Sequence, residues 1–174
     1  MPALGRSLKA RALQWLAQRE QSRVELRRKL LRQARAELVS EAHEERLASV
    51  AEQVDAVLDW LEANGYLSAE RFVESRVHAR VARYGNLRIR QELQQHQLGL
   101  SGELAQTLGA SEIDRARTVR ARRFTELPHD ATERARQARF LIGRGFSSDA
   151  VRAALRGAGA DSGEDDPATT TTGD

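Results

Sequence analysis

Arg19-Glu20-Gln21-Ser22-Arg23-Val24-Glu25-Leu26-Arg27-Arg28-Lys29-Leu30 reads as a turn running into a helix. Ser22 suits the cap, because its side-chain oxygen can take an orphan amide of the first turn, and Glu25 stands where a capping box reaches back. Leu26 and Leu30, four and eight positions after Ser22, fall on one helix face. The arrangement returns as Gly85, Ile89 and Leu93, and again as Ser147, Val151 and Leu155, at two nearly equal intervals. Self-similarity at a fixed period marks stacked helical units. Any helical chain repeats Leu at i+4 by chance; the near-equal intervals favour a true repeat.

The rest of the chain agrees. Before the C-terminal segment Pro occurs only at Pro2 and Pro128, and no stretch sustains apolar–polar alternation, so the body reads as all-α. Leu8, Ala12, Leu13 and Leu16 stripe a first helix over about 7–20. The second helix starts after Ser22, and its end is open, because 35–48 contains neither Gly nor Pro. Ser49 and Glu52 form another capping box, opening a helix that Asn64-Gly65 stops. Ser68 caps the next helix, which carries Phe72, Val73 and Val77 to Tyr84. The helix with Ile89 and Leu93 ends near Gly99, and a short helix with Leu104 and Leu108 stops at Gly109. Ser111 begins a seventh helix to Leu127, Asp130 to Arg144 holds an eighth, and Ser147 to Arg156 a ninth. About nine helices fit three tandem three-helix repeats, at 1–67, 68–110 and 111–157, with a disordered acidic tail at 158–174.

Composition narrows the function. Of 174 residues 40% are apolar but only 5% aromatic, so the core is built mostly of Leu, Val and Ala. There is no cysteine, which excludes disulfides and thiolate metal sites. The opening lacks the apolar run of a signal peptide and no stretch reaches membrane-spanning length, so the expectation is a cytoplasmic protein with no membrane contact. The formal charge of +3 hides an asymmetry. Asp161, Glu164, Asp165, Asp166 and Asp174 leave 28 basic residues against 20 acidic ones in the remainder, a body of +8. Only Lys9 and Lys29 among those bases are lysine. Such a body is drawn to nucleic acid or an acidic protein surface.

The stretch at 19–30 resembles the opening of the RecX family of bacterial recombinase regulators. The likeness continues through Gly65-Tyr66-Leu67 with Arg71-Phe72, and Gly85 with Ile89, Glu92 and Leu93. It closes at Phe140-Leu141, Arg144-Gly145-Phe146 and Val151, covering about 8–156 in order. Gln21 stands where the family has His, Ser68-Ala69 replaces an acidic pair, and the segment between Leu30 and Val54 is longer than usual. The resemblance implies an elongated, curved body that binds the RecA filament on single-stranded DNA. It implies inhibition of RecA's ATPase and strand exchange, and so a modulator of recombination and DNA repair.

No catalytic constellation is visible. His43, His78, His96 and His129 are scattered, without the ligand spacing of a zinc helix, and read as exposed helix histidines. No phosphate-cradling loop and no nucleophile elbow occurs, so no enzyme, metal or cofactor is expected. The foremost candidates for contact are Arg115, Arg117, Arg122 and Arg123, within a run that also holds Arg120. At ~100° per residue Arg115 and Arg122 lie within about 20° of each other. They oppose an apolar stripe of Ile113, Ala116, Phe124 and Leu127, and present an outward basic row for DNA phosphates or acidic side chains. The competing reading is a solvated helix face balanced by Glu112, Asp114 and Glu126. Arg120 falls within the stripe, where its charge needs a partner. Arg88 with Arg90, and Arg27 with Arg28, are secondary candidates. Trp15, Trp60, Phe72, Phe124, Phe140 and Phe146 read as core, which leaves too few aromatics to stack on single strands; Tyr84 alone reads as exposed.

The reading is a non-enzymatic, monomeric regulator of the RecA filament, with possible direct weak DNA binding. The alternatives are a sequence-independent nucleic-acid-binding helical repeat, and an adaptor for some other acidic protein.

Overall fold

The structure is a computed structural model that describes residues 3–37 and 43–156, with side chains over 8–36 and 48–156. The described residues form eight helices and no strand: α1 (Ala3–Gln18), α2 (Arg23–Glu37), α3 (His43–Ala63), α4 (Ala69–Val81), α5 (Asn86–Gln94), α6 (Gly102–Arg123), α7 (Ala131–Gly143) and α8 (Ser148–Arg156). The chain is all-α, as its sequence pattern requires. The acidic tail expected to be disordered lies outside the described residues. So does 38–42, the centre of the stretch 35–48 in which the end of the second helix is open.

The repeat in the sequence is a repeat in the helices. Ser22, Gly85 and Ser147 each stand immediately before a helix, α2, α5 and α8 respectively. Leu26, Leu30, Ile89, Leu93, Val151 and Leu155 are all buried. Ser22 Oγ accepts the Glu25 amide at 3.1 Å and Ser147 Oγ the Ala150 amide at 3.3 Å, each satisfying an orphan donor of its helix. The Glu25 carboxylate does not close the box on Ser22. It is held by Arg19 and by Lys29, whose Nζ lies at 3.2 Å.

Two expected helix starts are interior positions. Ser49 lies within α3, which already begins at His43, and Ser111 lies within α6. The Ser111 hydroxyl donates back to the carbonyls of Thr107 and Leu108, a bond made inside a helix. The break expected at Gly109 is absent too, so two expected helices are one, and the described residues hold eight rather than about nine. Glycine inside a helix costs about 1 kcal/mol relative to alanine. Against that, Leu108, Glu112, Ala116 and Val119 form one continuous buried face across the site of the expected break. The helix begins at Gly102, where Ser101 Oγ accepts the Leu104 amide at 3.3 Å.

Helix ends follow the left-handed positions. Gly65, with φ +72°, ends the run after α3, and the amides of Tyr66 and Leu67 both reach the Leu61 carbonyl. Gly145, with φ +80°, does the same after α7. After α5 the left-handed residue is Gln97, with φ +59°, rather than Gly99.

The described chain divides into two compact units, one from Met1–Ala82 and Ile89–Ala105, the other from Arg83–Arg88 and Gln106–Asp174. In the first, α1, α2 and α3 pack around Leu8, Ala12, Leu26, Leu30, Val54, Leu58 and Leu61. Arg23 and Arg27 of α2 tie to Asp59, Glu62 and Asp55 of α3. Phe72 of α4 is buried, and Arg76 and Arg80 of that helix both pair with Glu92 of α5. In the second unit Ala116, Val119, Leu141, Phe146, Val151 and Leu155 make the core, with Phe124 set edge-on to Phe140 at 5.3 Å.

Candidate functional site

The second unit is organised around two turns that interlock. Gly85, before α5, donates its amide to the Arg144 carbonyl at 2.9 Å, and the Leu87 amide donates to the Gly145 carbonyl at 3.0 Å. A Cβ on Gly85 would lie 2.2 Å from the Gly145 oxygen, so only glycine lets the two backbones meet.

Glu112 braces this junction from α6. Its Oε1 accepts the Asn86 amide at 2.8 Å and the Ser147 amide at 3.4 Å, while Oε2 accepts the Ser147 hydroxyl at 2.7 Å. Gly85 has no side chain to cap α5, and the carboxylate of Glu112 takes that role from a distant part of the chain.

Arg115 belongs to the same network, which corrects its expected place on an outward row. Its guanidinium donates to the Tyr84 carbonyl at 2.9 Å, the Asn86 side-chain oxygen at 2.6 Å and the Leu108 carbonyl at 2.9 Å. Burial pulls it below the usual arginine range, against the favourable field of Glu112. The buried face of α6 is rotated from the one expected: Glu112 and Val119 turn inward, and Ile113 and Leu127 are exposed. An expected stripe built from apolar residues alone places the face wrongly, because Glu112 is buried for its hydrogen bonds.

The other candidates keep varied surroundings. Arg117 pairs with Asp114 at 3.2 Å. Arg122 and Arg123 are exposed at the end of α6, and Arg123 lies 5.9 Å from the Phe124 ring. Arg120 Nη1 donates to the Glu126 carbonyl at 2.9 Å, while its buried Nε has no hydrogen-bond partner among the described residues. Arg88 is exposed, 6.0 Å from the Tyr84 ring. In the first unit Arg27 is bidentate to Asp55, at 2.7 and 3.0 Å, and so has a structural role between α2 and α3. Arg28 is exposed, and exposed Arg90 lines a small cavity with Leu93, Leu98 and Ala105.

The four histidines are not all surface groups. His96 is half-buried, its Nδ1 is 2.7 Å from Ser22 Oγ, and its ring lies against Phe72 at 4.8 Å. Burial and the nearby Arg76 charge lower its pKa below the ordinary histidine value. Among the described residues no group of three His, Asp or Glu could hold a metal ion, and no helix is long and apolar enough to cross a membrane.

Comparison with known proteins places this arrangement. Residues 70–107 match the family model of the second three-helix domain of RecX, and residues 110–155 that of the third. Regulatory protein RecX of Ralstonia pickettii is 46% identical over 160 residues, covering 91% of this chain and 92% of that protein. Regulatory protein RecX of Herbaspirillum seropedicae is 46% identical over 171 residues, covering 96% and 99%. The crystal structure of RecX from Lactobacillus salivarius superposes with a TM-score of 0.62 at 16% identity, over 90% of this chain and 97% of that one, a likeness of fold. With likeness of this extent along nearly its whole length, the chain belongs to the RecX family of regulatory proteins.

Proposed function

We propose that this chain binds the RecA filament on single-stranded DNA and inhibits its ATP hydrolysis and strand exchange, contributing no covalent chemistry of its own. The observation that carries the reading is the 46% identity to Regulatory protein RecX across 96% of the chain. The +8 body supports it, since a filament on DNA offers phosphates and acidic side chains. In this reading the body is three tandem three-helix repeats, at 1–67, 68–110 and 111–157, and α6 serves both the second and the third. Arg122, Arg123, Arg88, Arg90 and Arg28 are the contacting arginines, while Arg27 and Arg115 hold the scaffold and Arg117 stays close to Asp114.

The test is RecA's single-strand-dependent ATPase, titrated with this protein over a salt series. Saturable inhibition that weakens with salt is the expected result. Charge alone would also suit a sequence-independent nucleic-acid binder. A gel shift separates the two readings: equal affinity for bare and RecA-coated single strands, without ATPase inhibition, would overturn the filament reading.

A further inference from the structure

The interlocked turns carry more than a structural junction. Arg83 and Arg88 are exposed and Arg144 is half-buried, and none of the three pairs with a carboxylate among the described residues. By contrast Arg19, Arg23, Arg27, Arg71 and Arg80 each hold one. The guanidiniums of Arg88 and Arg144 lie 6.0 and 5.7 Å from the Tyr84 ring centroid, and Arg144 Nη1 donates to the Arg83 carbonyl at 3.4 Å. Leu87 directly precedes Arg88 in α5 and Ile142 of α7 lies two residues before Arg144, and the core uses neither of these large aliphatic side chains. Leu87 is 50% exposed and Ile142 is 59% exposed. Their backbones meet at one residue: Gly145 donates to the Ile142 carbonyl at 2.8 Å and accepts from the Leu87 amide at 3.0 Å.

Leucine and isoleucine held open to water next to uncompensated arginines and a tyrosine have the composition of a protein interface core with its rim. The scaffold is fixed in advance by two backbone hydrogen bonds, two glycines with no room for a side chain, and the Glu112 brace, so little entropy is lost on docking. Phosphates would engage the arginines but leave the two aliphatics unexplained. A stacked base would use the half-buried Tyr84 ring, which has two guanidiniums within 6.0 Å of its centroid, and would likewise leave the two aliphatics unexplained.

We propose that this patch is a protein-docking site, with Leu87 and Ile142 as apolar anchors and Arg88, Arg144 and Tyr84 as a basic rim. Its occupant is an acidic segment bearing an apolar side chain on the protein of the filament. The inference rests on the filament reading and assigns the contact to protein rather than to DNA.

The test uses the full chain with Leu87→Ser and Ile142→Ser together. Binding is measured by fluorescence anisotropy on labelled single-stranded DNA, bare and coated with RecA held by a non-hydrolysable ATP analogue. Arg88→Gln with Arg144→Gln is the second variant, and circular dichroism is the folding control for both. Loss of two anchors is expected to weaken binding to the coated strand by about tenfold or more, with bare-strand binding changed less than about twofold. The arginine pair should reproduce that selective loss and reduce its salt dependence. Undiminished binding of the folded variants to the coated strand overturns the patch. Equal loss on bare and coated strands overturns its assignment to protein and marks a nucleic-acid contact. If the unaltered protein shows no preference for the coated strand, the filament reading fails first and the patch falls with it.

Discussion

Glu112 Oε2 accepts the hydroxyl of Ser147 at 2.7 Å while its Oε1 accepts the Asn86 amide at 2.8 Å, so one buried carboxylate closes the first turns of both α5 and α8. Removing it strands buried donors at two helix starts. Glu112→Ala is expected to cost roughly 2–3 kcal/mol, and Glu112→Gln about 1 kcal/mol, since the amide keeps one acceptor. Urea denaturation with unchanged m-values checks both. A Glu112→Ala midpoint equal to that of the unaltered protein would sink the bracing role.

Three glycines should respond in opposite directions. A Cβ at Gly85 meets the Gly145 backbone at 2.2 Å, and one at Gly145 meets the Arg88 amide at 2.6 Å on a backbone with φ +80°. Gly85→Ala and Gly145→Ala are each expected to lose about 2 kcal/mol or more. Gly109 lies in mid-helix with open space around it, so Gly109→Ala should gain about 0.5–1 kcal/mol. Thermal melts of the three variants give the comparison directly.

Much of the fold was legible because local rules sufficed. The small residues at 22, 85 and 147 predict three helix starts, and the apolar pairs that follow them are buried. Errors fall where a local rule met a distant partner. Ser49 and Ser111 satisfy the capping pattern, yet no chain break lets them act, because the helices run through them. Glu112 enters the sequence pattern only as an acid of the competing solvated face, yet it is buried by bonds to residues from two other parts of the chain. Misplacing it rotated the expected face of α6 and sent Arg115 outward on paper. His96 was missed in the same way, since its partner Ser22 is far away in sequence.

Several groups set the acid response: Glu25 and His96, and also Asp55 and Glu92, whose carboxyls Arg27 and Arg80 hold below their ordinary values. Burial opposes ionisation of Glu25, but hydrogen bonds and charge from Arg19 and Lys29 outweigh it and hold the carboxyl at about 2, against 4.5 ordinarily. A lowered carboxyl pKa contributes stability that is whole above pH 4.5 and is lost as pH falls toward 2. His96, lowered chiefly by burial, is favoured in its neutral form, so its contribution is whole above its ordinary 6.5 and declines as pH falls below that. Stability should therefore fall in two stages. Glu25→Gln is expected to reduce the more acid stage, to which Asp55 and Glu92 also contribute, and His96→Gln to flatten the milder one, in melting temperatures followed from about pH 7 to pH 3. One unbroken slope unaffected by either change would refute the assignment.

The arginines of α6 should separate into scaffold and contact. Arg115 donates to two carbonyls and an asparagine oxygen, so Arg115→Ala is expected to lose roughly 1.5–3 kcal/mol through stranded acceptors. Arg122 and Arg123 are exposed, so Arg122→Gln with Arg123→Gln should cost less than about 1 kcal/mol. If these two face the filament, the double variant should weaken binding to RecA-coated single strands and lower the slope of log affinity against log salt by up to about 1 per phosphate contact removed. Titration at several salt concentrations measures that slope, with a urea melt of each variant to separate folding from contact. A folded Arg122→Gln, Arg123→Gln protein with unchanged affinity and slope would take the end of α6 out of the interface. It would leave Arg88, Arg90 and Arg28 as the remaining exposed candidates, to be tested in the same way.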